Sequence, residues 1–295
     1  SCGYNYRQVT DLEKRELLKH LLRSFYSKEE MDYRLKYVAR SLTRQNPEKT
    51  ILFETGEFEL LREFDQKVFG KNICFPRPDM VFQRKVQGRT GHDTNLYQCK
   101  NMNLVRFDYL HPTSTKRLDV TELMSYYRGI PISMRTNHQS NMDRQIMCPM
   151  IVSLIRNFEL PYLPNMEVIE YKQNAFEFEP IVGMHVLLDY LKLYRSESLN
   201  VPDSILNRTR QALRGSFPTF FEYYFERSLT SHILRDDVYN LFRAKCGDID
   251  PRAFSQIVKH HGLTIASGQN GFKIMGDRLS NIKYKGAVIK NIILK

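Results

Sequence analysis

The sequence predicts an α/β protein, with a mixed sheet flanked by helices and a smaller domain at the carboxyl end. Apolar residues recur at helical spacing near the amino end and again after residue 180. Between these regions, short runs rich in β-branched and aromatic residues indicate strands. Residues 236–295 combine two helical patterns with two short strand patterns, so we expect them to form a domain of their own. A chain of 295 residues is long enough for two domains.

The amino-terminal part is predicted to be helical. Residues 10–45 place leucines and other apolar side chains at helical spacing, and we assign 1–50 to a helical cap. A further helix is predicted over 56–69, with Thr55 as a candidate N-cap. Glu57 falls on the same face as the apolar stripe of this helix, which is formed by Leu60, Leu61, Phe64 and Val68.

A β-hairpin is predicted next. Residues 80–86 and 95–102 have the composition of two strands, and a polar, glycine-containing turn joins them. Asp79 starts the first strand, whereas Gln98 and Lys100 lie two residues apart on the second and project from one face. We therefore expect these three side chains to meet at one end of the sheet.

A helix between two strands is predicted after the hairpin. Asp119 and Glu122 form a D-x-x-E capping box at the start of a helix over 118–128, and a strand over 130–136 follows. Parallel neighbours in a sheet need such a crossover connection. Further along, the patterns predict a helix over 142–158, one or two strands within 166–178, and helices over 183–228 interrupted at Pro202 and Pro218.

The carboxyl-terminal domain has the element order of a winged helix. A helix is predicted from Asp236 to Cys246, and Asp250 followed by Pro251 starts a second helix that stops at Gly262. Two short strands, 263–266 and 272–275, would flank a turn. Side chains suited to nucleic-acid contact are Arg252, Ser255, Gln256, Lys259, His260, Lys273, Lys283 and Lys285. A winged helix also serves as a protein-docking domain, and this alternative stays open.

The charge balance favours a polyanionic partner. The chain has 44 Lys and Arg against 33 Asp and Glu, a formal net charge of +11. The alternative is a basic protein with no such partner. The five cysteines are scattered, without zinc-site spacing, which indicates reduced thiols and an intracellular location, cytoplasmic or nuclear. No apolar run is long enough for a membrane span.

The predicted hairpin carries residue types suited to phosphodiester hydrolysis. This reaction uses a divalent cation to polarise the phosphate and to lower the pKa of a bound water, and oxygen donors suit Mg²⁺ or Mn²⁺. Asp79 would supply an anionic ligand, and Gln98 and the backbone carbonyl of Cys99 would supply neutral ones. Lys100 would orient or deprotonate the attacking water.

The segment 50–137 resembles the PD-(D/E)xK nuclease superfamily, which has a restriction-endonuclease-like fold. The resemblance rests on Pro78-Asp79 and on Gln98-Cys99-Lys100, with Gln98 where most members carry Glu or Asp. It implies a Mg²⁺-dependent DNA endonuclease of the QxK variant. Family members usually add a Glu from the helix before the hairpin, which implies Glu57 as a further metal ligand, with Glu54 and Glu59 in reserve.

Together these inferences give four segments and two candidate functions. The segments are a helical cap over 1–50, a nuclease-like core over 51–180, a helical linker region over 181–232 and a winged-helix-like domain over 233–295. The first function is DNA cleavage in restriction, transposition, replication or recombination, with a homodimer or partner protein for double-strand cuts. The alternative is a non-catalytic DNA-binding protein, or one associated with replication or transposition, that has a degenerate nuclease core. The loss of a carboxylate at Gln98 leaves this alternative open.

Overall fold

The protein is described by a computed structural model. The described residues are 3–77, 81–82, 99, 101–110, 118–119, 123, 126, 132–134, 142–144, 148–155, 160, 162–163, 165–213, 220–221, 224–246, 249–260, 263, 265–272 and 284–294. They fall into two units: residues 1–158 with 164–209, and residues 159–163 with 210–295. The first unit therefore contains residues 181–209, which the sequence assigned to a linker region. Among the described residues, no helix is long and apolar enough to cross a membrane.

A five-stranded sheet forms the centre of the first unit. Its strands are β1 (Ile51–Gly56), β2 (Ile73–Cys74), β3 (Leu104–Leu110), β6 (Met150–Leu154) and β7 (Met166–Tyr171). Their order is β2-β3-β6-β1-β7, and every pairing is parallel. The predicted α/β class is confirmed, but the described strands of this sheet are wholly parallel rather than mixed. Such a sheet is buried on both faces, so its strands need not show the regular alternation of polar and apolar residues that marks a half-exposed strand.

Helices cover one face of this sheet. They are α1 (Asp11–Leu22), α2 (Lys28–Ala39), α3 (Glu59–Phe69) and α4 (Pro180–Glu197), while α5 (Asp203–Ala212) follows near the boundary of the unit. The helical pattern predicted over residues 10–45 is present as α1 and α2. Thr10 starts α1 with a capping box to Glu13, and the Ser27 side chain caps α2. Apolar side chains from α1 to α4 share one core with the side chains of Leu52, Leu104, Ile151 and Ile169 on the sheet.

The strand β6 corrects the prediction of a helix over 142–158. That segment instead contains β5 (Met142–Arg144) and β6. Every residue of β6 is buried, and a short apolar run of this kind has no periodicity to separate strand from helix. The sequence patterns did not identify β1 and β3 either, whose residues are almost all buried although both strands contain charged side chains.

The helix predicted over 56–69 begins later, at Glu59. Gly56 still belongs to β1 and has a φ of +76°. A Cβ atom at this position would lie 2.4 Å from the carbonyl oxygen of Tyr171 on β7, so the tight turn out of β1 requires glycine. Glu57 therefore precedes the helix instead of lying on its apolar face.

The strand predicted over 130–136 is not part of the five-stranded sheet. Its described part, β4 (Ile132–Met134), pairs with β5 as a separate antiparallel pair. Of the helix predicted over 118–128, the described residues Leu123 and Tyr126 are helical, and the Leu123 N–H donates to the Asp119 carbonyl at 3.0 Å. The predicted hairpin lies largely outside the described residues, apart from a bridge between Phe82 and Leu118.

The described elements of the second unit include a three-stranded antiparallel sheet and two helices. The strands are β8 (Phe225–Leu234), β9 (Ile265–Phe272) and β10 (Tyr284–Leu294), in the order β8-β10-β9. The helices α6 (Arg235–Cys246) and α7 (Pro251–His260) confirm the sequence prediction. Two expectations were wrong: β8 begins inside the predicted helical region, and β9 runs through the predicted turn at 267–271. Aromatic side chains, including Phe220, Phe242 and Phe254, fill the core.

Candidate functional site

The residues predicted to carry nuclease chemistry lie mostly outside the described residues. This holds for Asp79, Gln98 and Lys100. Cys99, between the latter two, is described and buried, and its Sγ lies 3.0 Å from the Sγ of Cys74. The hydrogen bond from Cys99 lowers the pKa of the Cys74 thiol despite its partial burial. The Cys99 carbonyl accepts the N–H of Met102 at 3.3 Å, so it takes part in a turn ahead of β3.

The three glutamates considered as additional ligands have different surroundings. Glu57 is exposed, and its backbone N–H donates to the Tyr171 carbonyl at 3.2 Å. Glu59 is exposed in the first turn of α3. Glu54 is wholly buried and bound by arginines, so its carboxylate is already neutralised. Of the three, Glu57 and Glu59 have carboxylates that solvent and ions can reach.

Glu54 belongs to a buried charge cluster beneath α2 and α3. We define the cluster as Arg34, Glu54, Asp65, Arg106 and Asp108, with Ser153 and Tyr171 as neutral members. Arg34 binds Asp65 through two hydrogen bonds of 2.8 and 2.6 Å and reaches Glu54 at 3.3 Å. Arg106 binds Glu54 at 2.7 Å and Asp65 at 2.6 Å. Two arginines are thus held between carboxylates from a strand and a helix.

The remaining contacts of the charge cluster run along the central strands. The Nε of Arg106 donates to Asp108 at 3.1 Å, and its Nη2 donates to the Ser153 hydroxyl at 2.8 Å. The Tyr171 hydroxyl donates to Glu54 at 2.7 Å. Arg62, which is partly exposed, binds Asp108 from outside at 2.7 Å. Counting Arg62, three arginines therefore balance three carboxylates.

The surroundings of the charge cluster act differently on its two fully buried carboxylates. Burial raises the pKa of Asp65 above its usual value, although the charges of Arg34 and Arg106 oppose this shift. Burial opposes a charge on Glu54, but Arg106 and Arg34 outweigh it and hold the pKa of this carboxyl below its usual value. Burial and the neighbouring Glu54 charge raise the pKa of Tyr171, which stays a neutral donor. Removing one partner of such a buried group leaves an uncompensated charge and costs about 3–5 kcal/mol. The cluster is therefore structural, with its carboxylates fully engaged.

Sequence patterns did not identify this cluster. Its signal is present, because Glu54 lies in the run Ile51–Gly56, and Arg106 and Asp108 lie in the run Leu104–Leu110, both otherwise largely apolar. A charged side chain inside a buried strand needs a partner of opposite charge. The partners Arg34 and Asp65 lie on helices, and only the tertiary structure shows that they meet.

The second unit presents a helix with two distinct faces. Phe254 and Val258 of α7 are fully buried, whereas Arg252, Gln256 and Lys259 are exposed. The Asp250 side chain accepts the backbone N–H groups of residues 252 and 253, at 2.8 and 3.1 Å, and so caps the helix as predicted. The side chains of His260, Lys273, Lys283 and Lys285, also predicted to contact nucleic acid, lie outside what the structure describes.

The described part of the chain shows no group of three or more His, Cys, Asp or Glu side chains that could hold a metal ion. No protein-family model and no curated protein matches the sequence. Among solved structures, the chain is similar to three apo structures of the NrS-1 C-terminal region. The first has a TM-score of 0.48 and 12% identity, and the match covers 100% of this chain and 78% of that one.

The other two structures of this region are an A form. One has a TM-score of 0.44 and 12% identity, and the match covers 89% of this chain and 65% of that one. The other has a TM-score of 0.45 and 11% identity, with 100% and 78% covered. At these values the likeness assigns neither a fold family nor a function.

Proposed function

We propose that this protein binds DNA, and that α7 of the second unit is the helix that enters the major groove. The observation that carries the proposal is the exposed face of α7. Arg252, Gln256 and Lys259 are spaced i, i+4 and i+7, which places them on one side of the helix. The opposite side is anchored by Phe254 and Val258 in the aromatic core, so the donor-bearing face is held outward.

The chemistry of this face suits nucleic acid. Arginine forms paired hydrogen bonds with guanine, glutamine does so with adenine, and lysine binds either guanine or phosphate. The net charge of +11 adds an attraction to the phosphate backbone that does not depend on sequence. Arg252 and Lys259 are both exposed, and neither forms an ion pair with another described residue.

A winged helix is the arrangement we propose for the second unit. Two helices followed by an antiparallel pair of strands, β9 and β10, support it. In this arrangement Lys285 on β10, together with Lys273 and Lys283 in the connection between the two strands, would contact the backbone beside the groove. His260, at the end of α7, and Ser255 would complete the predicted set, although the Ser255 hydroxyl donates to the Pro251 carbonyl at 2.8 Å.

The test of DNA binding is a triple variant, R252A/Q256A/K259A. We expect duplex affinity to fall at least about tenfold, since each good base contact contributes about 1–3 kcal/mol. The slope of log affinity against log salt should also decrease by about 0.9 for each phosphate that the variant no longer neutralises. The matched control R23A/K192A removes two exposed cations, one at the end of α1 and one on α4. Equal reductions of affinity in both variants would mean that net charge, not α7, determines binding.

A Mg²⁺- or Mn²⁺-dependent DNA endonuclease of the PD-(D/E)xK type is the second candidate function. Its support is the contact between Cys74 and Cys99, which brings the residue between Gln98 and Lys100 to the end of β2, five residues before Asp79. Asp79, Gln98, the Cys99 carbonyl and Glu57 would hold the metal ion, which would supply an activated water. Lys100 would orient that water, and a dimer or partner nuclease would be needed to cut both strands.

This restriction-endonuclease-like proposal rests on the 78–100 segment and not on the sheet, whose described strands are all parallel. It is tested by incubating the protein with plasmid DNA and Mg²⁺ or Mn²⁺, with EDTA as the control. D79A and K100A should each lose cleavage while they keep duplex affinity. Cleavage unchanged in both variants, or absent from the unmodified protein, would leave the non-catalytic DNA-binding function as the sole proposal.

A further inference from the structure

Tyr109 occupies an unusual position at the carboxyl end of β3. Its φ is +55°, a left-handed conformation that is a genuine outlier for a bulky residue inside a strand. Between Phe107 and Leu110, β3 advances three residues while β6 advances two, so β3 contains a bulge. Bulges at sheet ends redirect side chains. Here the bulge turns Tyr109 outward, and 43% of its surface is exposed.

A cation and the buried ring of Phe58 contact Tyr109, and the same cation also contacts the ring of Phe75. The guanidinium carbon of Arg62 lies 5.5 Å from the centroid of the Tyr109 ring and 5.0 Å from that of Phe75. Phe58 lies beside Tyr109 at a ring-centroid distance of 5.5 Å. Asp108 holds the Arg62 Nε at 2.7 Å, so the guanidinium is fixed against both rings. We call Phe58, Arg62, Phe75 and Tyr109 the stacking platform.

The stacking platform lies where parallel sheets bind ligands. The chain leaves β1 for α3 on the face covered by α1 to α4. Tyr126 follows β3 in the chain. Its ring stacks on that of Phe107, on the opposite face of the sheet from α1 to α4. The described residues that follow β1 and β3 thus lie on opposite faces of the sheet, and β6 lies between these two strands. The crevice outside the carboxyl ends of the strands at such a position is the usual ligand site. Because the charge cluster fills the interior below, a ligand would lie on the platform.

We infer that the stacking platform binds an unpaired nucleobase of a single DNA strand. A flat aromatic ring beside a fixed guanidinium matches the way proteins hold single strands, by base stacking and cation–π contact. The backbone strain at Tyr109 is of the kind that persists at functional sites. The inference rests on the proposal that the chain binds nucleic acid, but it assigns a second site, on the first unit, for single strands.

The absence of tryptophan from the chain gives a direct test. In Y109W the introduced indole is the sole tryptophan, and a base stacked on it should quench its emission. We expect saturable quenching by an oligo-dT strand and none in the control Y6W, at an exposed tyrosine beside His185. Unchanged emission of Y109W in the presence of the strand would overturn the inference. Equal quenching by free dTMP at the same base concentration would show that the site binds single nucleotides as well as it binds a DNA strand, and would overturn the assignment of single-stranded DNA as its ligand.

Affinity measurements on intact protein give a second, independent readout. Y109A should bind oligo-dT about 5- to 150-fold more weakly, the range expected for losing one stacked base, while Y109F and Y6A should bind as the unmodified protein does. Equal affinity of Y109A and Y109F would also overturn the inference. Duplex binding that depends on α7, with no effect at Tyr109, would reject this site alone. No binding to either form of DNA would reject the proposed function as well.

Discussion

The interiors of the two units are stabilised in different ways. In the first unit the apolar core lies next to the charge cluster, where arginines and carboxylates are buried together. In the second unit the core is largely aromatic, with Phe220, Phe242 and Phe254 in contact through their rings. The stability of an apolar core depends on the volume and shape of its side chains. The stability of a buried charge cluster depends on the presence of every charged partner. The same chain should therefore respond very differently to changes in its two interiors.

The largest loss of stability is expected from removing a charged side chain of the charge cluster. R106A should lower the free energy of unfolding by about 3–5 kcal/mol, because Glu54 and Asp65 lose the arginine that they share while they stay buried. Urea unfolding followed by circular dichroism would measure the change, with the exposed K192A as a control expected to stay within about 0.5 kcal/mol. A loss below about 1 kcal/mol would show that the cluster is less important than its geometry indicates.

A smaller change in stability, one that depends on pH, is expected at Glu167. This residue of β7 has a buried carboxyl group and lacks arginine partners like those of the charge cluster among the described residues. Burial raises the pKa of Glu167 to about 8, and its Oε2 has no hydrogen-bond partner among the described residues. The folded state thus retains a proton that the unfolded chain loses near pH 4.5, so stability should fall as the pH rises from there towards 8.

Between pH 6 and pH 8 the loss should be roughly 2 kcal/mol, since each pKa unit corresponds to about 1.4 kcal/mol. E167Q, which is neutral at every pH, should remove this part of the pH dependence. Unfolding of both proteins at the two pH values would measure the difference. Parallel pH profiles for E167Q and the unmodified protein would show that Glu167 is ionised at neutral pH in the folded state.

The smallest loss of stability is expected from a substitution in the aromatic core of the second unit. F254L keeps most of the buried apolar volume, so the free energy of unfolding should fall by about 1.5 kcal/mol or less. Unfolding monitored in the same way, with DNA affinity measured alongside, would show whether α7 keeps its orientation. A loss as large as that of R106A would remove the contrast between the two interiors.

The sequence was most informative where structure is determined locally. The capped starts of α1 and α7 depend on Thr10 and Asp250, residues that act within one helical turn, and the helices were predicted in the right places. Buried parallel strands lack such local signals. Because β6 is buried throughout and apolar except for Ser153, its pattern does not separate a strand from a helix, and β1 and β3 were not predicted either.

Site prediction had a similar limit. The exposed face of α7 follows from helical periodicity, so Arg252, Gln256 and Lys259 could be identified from the sequence. The stacking platform could not, because Arg62 and Tyr109 are distant in sequence and meet through a bulge that no local pattern marks. The placement of Asp79, Gln98 and Lys100 stays a prediction.

The charge cluster also bears on how this chain could vary over time. Replacing Arg34 alone, or Asp65 alone, leaves a buried charge without its counterpart, so a single change at either position is costly whereas a matched pair of changes is tolerated. Diverged relatives should therefore keep or lose these positions together. The joint presence of arginine at 34 and 106 and of carboxylates at 54 and 65 would identify such relatives even where the rest of the sequence has changed.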